Sequence, residues 1–124
     1  PLLIEQNKDY VLLDFWGTWC GACVESAPLL QEILFEHKNV SITSVAYDDK
    51  ISLVNEFLEK HKMPWKHSFV QRKNDVPLLN NLRVNAFPTF FLISKNNEIV
   101  YRGSGIESLR KIDSILTKYN NDKY

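Results

Sequence analysis

Tyr10-Val11-Leu12-Leu13-Asp14-Phe15-Trp16-Gly17-Thr18-Trp19-Cys20-Gly21-Ala22-Cys23 changes its periodicity halfway along. From Tyr10 to Trp16 the run is aliphatic and aromatic except for Asp14, and it is bounded by Asn7-Lys8-Asp9 and by Gly17. Such a run predicts a strand buried on both faces. From Cys20 the spacing turns helical, with Cys23, Ala27, Leu30, Leu34 and Phe35 recurring at three- and four-residue steps until Asn39. Pro28 falls inside that pattern and predicts a kink about two turns in.

Downstream, Val40 to Tyr47 alternates with β-branched residues and predicts a second core strand. Strand, helix and strand in succession imply a right-handed βαβ unit with parallel strands. Asp48 or Asp49 is the expected cap of a further helix with Ile51, Val54, Phe57 and Leu58 on its apolar face. Lys60, His61 and Lys62 fill its last turn, and Met63-Pro64-Trp65 stops it. A short extended piece is expected at Ser68 to Gln71, and a helical turn or two from Pro77 through Leu82. Phe87 to Ile93, the turn Lys95-Asn96-Asn97 and Glu98 to Arg102 read as an antiparallel hairpin. Ser104-Gly105-Ile106-Glu107 has the spacing of a capping box before a helix carrying Ile106, Leu109, Ile112, Leu116 and Tyr119 on one face. The order is βαβαββα, with a small insert before the hairpin.

No repeat, low-complexity tract or linker divides residues 1–124, so a single domain is expected. Its 124 residues, 44% hydrophobic, suffice for a core without metal or disulfide staples. With 15 basic and 15 acidic residues the formal charge is zero, which leaves no field to attract nucleic acid or anionic lipid. No apolar run approaches the roughly 20 residues that span a bilayer. The chain begins at Pro1 and enters its first strand almost at once, which suggests a domain cut from a longer precursor.

The only two cysteines, Cys20 and Cys23, stand three positions apart. A bridge closing so short a loop removes little entropy from the unfolded chain, so their value is chemical. A helix that opens at Cys20 offers it unpaired backbone N–H groups and the positive end of the dipole. That environment lowers a thiol pKa below its free value of about 8.5, and the thiolate is the attacking species. Cys20 is therefore the expected nucleophile, and Cys23, one turn further in and shielded by its own helix, the expected resolving thiol.

The run Asp14 to Cys23 resembles the active-site strand and turn of thioredoxins. Pro28 matches that family's helix-kinking proline, and Phe87-Pro88-Thr89 matches its cis-proline loop. The resemblance covers nearly the whole chain and implies the thioredoxin fold, a three-layer α/β/α arrangement around a mixed sheet. The insert from Asp48 to Val84 resembles the TlpA/ResA-like branch, and the stretch Tyr10 to Cys23 also resembles thioredoxin-like domains of the AhpC/TSA superfamily. These likenesses imply a thiol-disulfide oxidoreductase on the periplasmic, extracytoplasmic side, with any membrane anchor upstream of this chain. They also imply exchange with cysteine-containing protein substrates and an unidentified redox partner, with no cofactor and no metal, and they favour the reducing direction. Asp14 becomes the proton acceptor for Cys23, by way of a water, since burial raises a carboxyl pKa. Trp19, Gly21, Ala22, Phe87, Pro88 and, by a looser match, Gly105 become the substrate surface, where an extended segment pairs with the backbone at Phe87.

Two departures accompany the likeness. Ala22 stands where many relatives carry proline, so the potential cannot be read by analogy. No lysine appears between Val45 and Asp48 to partner Asp14, as one does in plain thioredoxins.

Plainer readings compete at several positions. A zinc-binding Cys pair with His61 and His67 lacks the usual Cys-to-His spacing, and a solvated surface is the better default for both histidines. His37 is expected as a solvated last-turn residue complementing the helix dipole, and Trp16 as a core aromatic. The Pro-x-x-x-Thr-x-x-Cys pattern of AhpC/TSA peroxidases is absent. The rival from another class is a binding or redox-sensing module in which the fold recognises partner chains without turnover.

Overall fold

Strand β1 (Tyr10–Trp16) occupies the middle of a five-stranded sheet in a computed structural model that describes residues 8–73 and 75–122, with side chains through Tyr119. It is followed by α1 (Gly21–Glu36), β2 (Val40–Asp48), α2 (Ile51–Lys60), β3 (Lys66–Gln71), α3 (Pro77–Asn81), β4 (Thr89–Ser94), β5 (Ile99–Ser104) and α4 (Glu107–Asp122). The strand order is β3-β2-β1-β4-β5. The first three strands run parallel, β4 is antiparallel to β1, and β5 is antiparallel to β4. Pro1 and Asn7, used above to place the start of the first strand, lie outside the described residues.

Paired on both edges and covered on both faces, β1 has no solvent side, and Val11 through Trp16 are all buried. This is why its sequence is continuously apolar instead of alternating. On one face Leu12 packs with Leu30 and Ile33 of α1 and with Leu109, Ile112 and Leu116 of α4. On the other, Leu13, Phe15 and Phe91 pack with Val76, Leu79 and Val84 around α3. Two helical layers thus sandwich the sheet, as expected. A third cluster gathers Trp16, Ala46, Cys20, Cys23, Ala27, Val54 and Met63 at the end of the sheet where β1 meets α1.

Several local expectations are corrected. Helix α1 ends at Glu36, short of Asn39, and buries Cys23, Ser26, Ala27, Leu30 and Ile33, while Phe35 is 79% exposed. Its inward stripe is rotated because α4 and the sheet meet it on the Ile33 side. His37 is not solvated: it is the buried C-cap residue, with Nε2 2.7 Å from Asp113 Oδ1, and it ties α1 to α4. His67 is likewise half-buried, its Nε2 donating to the Met63 carbonyl at 2.8 Å, whereas His61 is exposed and stacks on Phe57.

Neither Asp48 nor Asp49 caps α2. Lys50 holds the N-cap without a side-chain hydrogen bond, because Asp48 closes β2 and its carboxylate is engaged elsewhere. Only Val54 of that helix is fully buried, and Ile51 is exposed. The extended piece begins earlier than Ser68, at Lys66, and forms a full edge strand parallel to β2. Ser104 ends β5 with its hydroxyl 2.9 Å from Thr89 Oγ1, so it does not serve as the cap expected for α4. Tyr119 is also exposed, resting its ring against Tyr10. Among the described residues no helix is long and apolar enough to cross a membrane.

Candidate active site

Cys20 is the N-cap residue of α1, in extended conformation, and the Cys23 N–H donates to its Sγ at 3.2 Å. The two cysteines form a disulfide with their Cα atoms 5.2 Å apart. No acidic side chain lies in the first turn, so nothing there opposes negative charge on Cys20. Cys23 is 3% exposed and Cys20 8%, while Gly21 and Ala22 between them face solvent. The inner cysteine is thus sheltered by its helix and the outer one meets the surface at its edge.

The turn that delivers Cys20 to the helix start is pinned to the end of β2. Thr18 donates to Asp48 Oδ2 from both its backbone N–H, at 2.7 Å, and its hydroxyl, at 2.8 Å. The Trp19 indole N–H donates to the Tyr47 carbonyl at 2.7 Å. Gly17 allows this close approach, since a Cβ there would lie 2.7 Å from the Tyr47 carbonyl oxygen and run into the Trp19 ring.

The Phe87–Pro88 peptide is cis. The Phe87 carbonyl oxygen lies 3.6 Å from Cys20 Sγ, so the loop before β4 meets the start of α1 across the top of the sheet. Gly105, at a φ of +84°, donates its N–H to the Pro88 carbonyl at 2.9 Å, which brings the third segment to the same place. Around them is an aromatic surface. Trp19, 41% exposed, meets Phe87 edge-on at 5.3 Å between ring centroids, Tyr47 stacks on Phe87 at 5.4 Å, and the Arg72 guanidinium lies 4.1 Å over the Trp19 ring. Each of the residues singled out in the sequence for a substrate surface is therefore in one neighbourhood.

Asp14 lies on the sheet face that α1 covers, in register between Leu12, which packs on Leu30, and Trp16, which clusters with Cys23 and Ala27. It is 1% exposed. Its Oδ2 accepts from the Ser44 hydroxyl at 2.7 Å, and its Oδ1 is buried without a hydrogen-bond partner. Burial pushes its pKa from 3.8 up to about 7, with the Ser44 hydrogen bond opposing part of the rise. The one side chain that hydrogen-bonds Asp14 among the described residues is thus the neutral Ser44 hydroxyl.

Sequence reasoning missed Ser44, Trp65, Tyr47, Asp48 and Arg72. A signal existed for the first: Ser44 is a polar residue inside an apolar strand, and parallel pairing sets it opposite Asp14. Tyr47, Asp48 and Arg72 come together only through the β2–β3 pairing, which no local pattern announces. The one group of metal-capable side chains among the described residues, Glu36, His37 and Asp113, lies at the opposite end of α1 from Cys20. Neither His61 nor His67 joins the cysteines in such a group among these residues.

A family model described as thioredoxin-like matches residues 7–99. The thiol-disulfide oxidoreductase ResA of Bacillus cereus is 26% identical over 110 residues, 87% of this chain and 62% of that protein. The ResA protein of Geobacillus kaustophilus is 33% identical over 91 residues, 72% of this chain and 51% of its own length. The chain thus spans between half and two thirds of these relatives. Among solved structures, a thiol:disulfide interchange protein DsbE from Chlorobium tepidum superposes with a TM-score of 0.77 at 24% identity, covering 90% of this chain and 81% of its own. StoA from Bacillus subtilis does so with a TM-score of 0.71 at 21% identity, covering 87% and 83%. At those identities the likeness shows the fold, which is the one the sequence predicted.

Proposed function

This chain belongs to the thioredoxin-like family, and from that premise we propose that it exchanges a dithiol for a disulfide with cysteine-containing proteins, acting as a reductant outside the cytoplasm. The observation that carries the reading is the Cys20–Cys23 bridge seated on the N-terminus of α1, with the Cys23 N–H directed at Cys20 Sγ.

In the reduced domain the Cys20 thiolate attacks one sulfur of a substrate disulfide and expels the other as a thiolate, leaving a mixed disulfide. The Cys23 thiol then gives its proton to the Asp14 carboxylate. The resulting thiolate attacks Cys20 Sγ and releases the second substrate sulfur. Two electrons have moved from the domain to the substrate, and the proton held on Asp14 passes on to solvent or product. A carboxyl with a pKa of about 7 suits this task, because it is ionised in part at neutral pH yet basic enough to take a thiol proton. Trp19, Phe87 and the Pro88 loop, with Gly105 behind it and Gly21-Ala22 in front, form the surface on which the substrate segment lies. Backbone pairing at Phe87 supplies affinity without demanding a particular side chain.

Mixing the reduced domain with a disulfide-bearing protein such as insulin tests the reading. Stoichiometric loss of domain thiols with matching reduction of the substrate is the expected result. Tight binding of the substrate with both thiols retained would favour the binding module instead.

A further inference from the structure

Three polar atoms stand in line beneath α1. Trp65 Nε1 donates to Ser44 Oγ at 2.8 Å, and Ser44 Oγ donates to Asp14 Oδ2 at 2.7 Å. An indole N–H can only donate, whereas a hydroxyl has one hydrogen and lone pairs to spare. Ser44 is fully buried, and Asp14 Oδ2 is the only acceptor its hydroxyl meets among the described residues. The bond it receives from Trp65 polarises the hydroxyl and makes it a stronger donor toward the carboxylate.

We propose that Trp65, through Ser44, fixes the polarity of the hydrogen bond to Asp14, so that Oδ2 is held as an acceptor and the partnerless Oδ1 is the oxygen that takes and gives the proton. Trp65 and Ser44 are positioning residues. The inference rests on the reading of Asp14 as the proton acceptor for Cys23. It gives the loop Met63-Pro64-Trp65, whose shape is held by the Trp65 N–H donating to the Met63 carbonyl at 2.9 Å, a role in the exchange reaction.

Burial is the main influence on the Asp14 carboxyl, and the Ser44 hydrogen bond is the side-chain interaction that opposes it. On β4 its register partner is Phe90, and on β2 it is Ser44. One strand further, His67 is the register partner of Ser44 and stacks beneath the Trp65 ring. Its pKa is lowered by burial, so it is predominantly neutral where Asp14 titrates. On α1 the carboxylates Glu25, Glu32 and Glu36 are exposed, and the buried Cys23, bridged to Cys20 at the N-cap, does not ionise. Removing the Trp65 donor leaves the Ser44 hydroxyl less polarised and a weaker donor to the Asp14 carboxylate, which favours the neutral acid.

The test follows the Asp14 carboxyl in the oxidised full chain by carbon-13 NMR across pH, in wild type, Trp65→Phe, Ser44→Ala and the double variant. Trp65→Phe keeps the ring and loses the donor, and is expected to raise the Asp14 midpoint by about one pH unit, tenfold in proton affinity. Ser44→Ala is expected to raise it at least as far. In the Ser44→Ala background the Trp65 change is expected to add nothing, because the coupling runs through the hydroxyl. A Trp65→Phe midpoint equal to or below wild type would overturn the proposal, and so would full additivity in the double variant, which a packing effect alone would give. The Ser44→Ala arm reads the same bond should Trp65→Phe fail to fold. The pH dependence of substrate reduction by the Trp65→Phe domain separates the underlying reading: it is expected to move with the carboxyl midpoint. A rate profile that stays put while the carboxyl shifts would refute Asp14 as the proton acceptor, and with it Oδ1 as the exchanging atom, independently of the titration result.

Discussion

A Cys23→Ser domain incubated with a disulfide-bearing protein is expected to accumulate as a mixed disulfide through Cys20, while Cys20→Ser is expected to form no covalent complex at all. The asymmetry follows from position. Cys20 caps α1, receives the Cys23 N–H at 3.2 Å and lies beside the exposed Trp19 surface. Cys23 is 3% exposed and can reach only the sulfur of its neighbour. Turnover should fall by roughly 10³-fold or more in either variant, about 4 kcal/mol of barrier, but only the Cys23 variant should trap its substrate. Non-reducing electrophoresis followed by mass spectrometry reads the difference. Trapping by the Cys20→Ser domain instead would reverse the assignment of nucleophile and resolving thiol.

Replacing Asp14 by Asn is expected to slow the resolving step by about 10²-fold and to remove the rise in rate expected of wild type as pH climbs through about 7. The same substitution should change stability in the opposite sense. Asp14 has a folded pKa raised from 3.8 to about 7, so the folded domain holds this proton more tightly than the unfolded chain. The associated stability is fully present below about pH 4 and is lost as pH rises through about 7. The loss amounts to about 4 kcal/mol from the shift between those two values. Denaturant unfolding at a series of pH values should therefore show wild type losing stability between pH 4 and 8 relative to Asp14→Asn. Parallel stability curves would mean that the carboxyl is not perturbed in the folded state.

Burial of an ionisable group with an unpartnered oxygen makes little sense as architecture, because such burial costs several kcal/mol. Under the proposed mechanism it makes sense, since a proton must there be held out of water for transfer from Cys23.

Much of this was legible in the sequence, for reasons particular to each element. The apolar run from Tyr10 to Trp16 could only be a central strand, and it is one. The switch of period at Cys20 placed both cysteines at a helix start, as found. What failed were inferences that needed the third dimension. His37 looks like a surface residue until α4 closes over the end of α1 and Asp113 meets its ring. Asp48 looks like a helix cap until the turn at Thr18 is seen to fold against it. Phe35 fits the apolar period of α1 yet faces outward, since the period fixes the stripe only to within a residue of its true axis. Trp65 carried a signal only as a helix stop, and its hydrogen bond to Ser44 crosses 21 positions of chain.

The most direct test of the central claim is equilibration of the domain in glutathione or dithiothreitol buffers while following tryptophan fluorescence, since Trp16 clusters with both cysteines and Trp19 adjoins Cys20. The account predicts a single reversible two-electron transition with a midpoint near or below about −250 mV. A reversible midpoint of about −120 to −200 mV would contradict the reducing direction. Failure to form any reversible Cys20–Cys23 bridge would contradict the oxidoreductase itself.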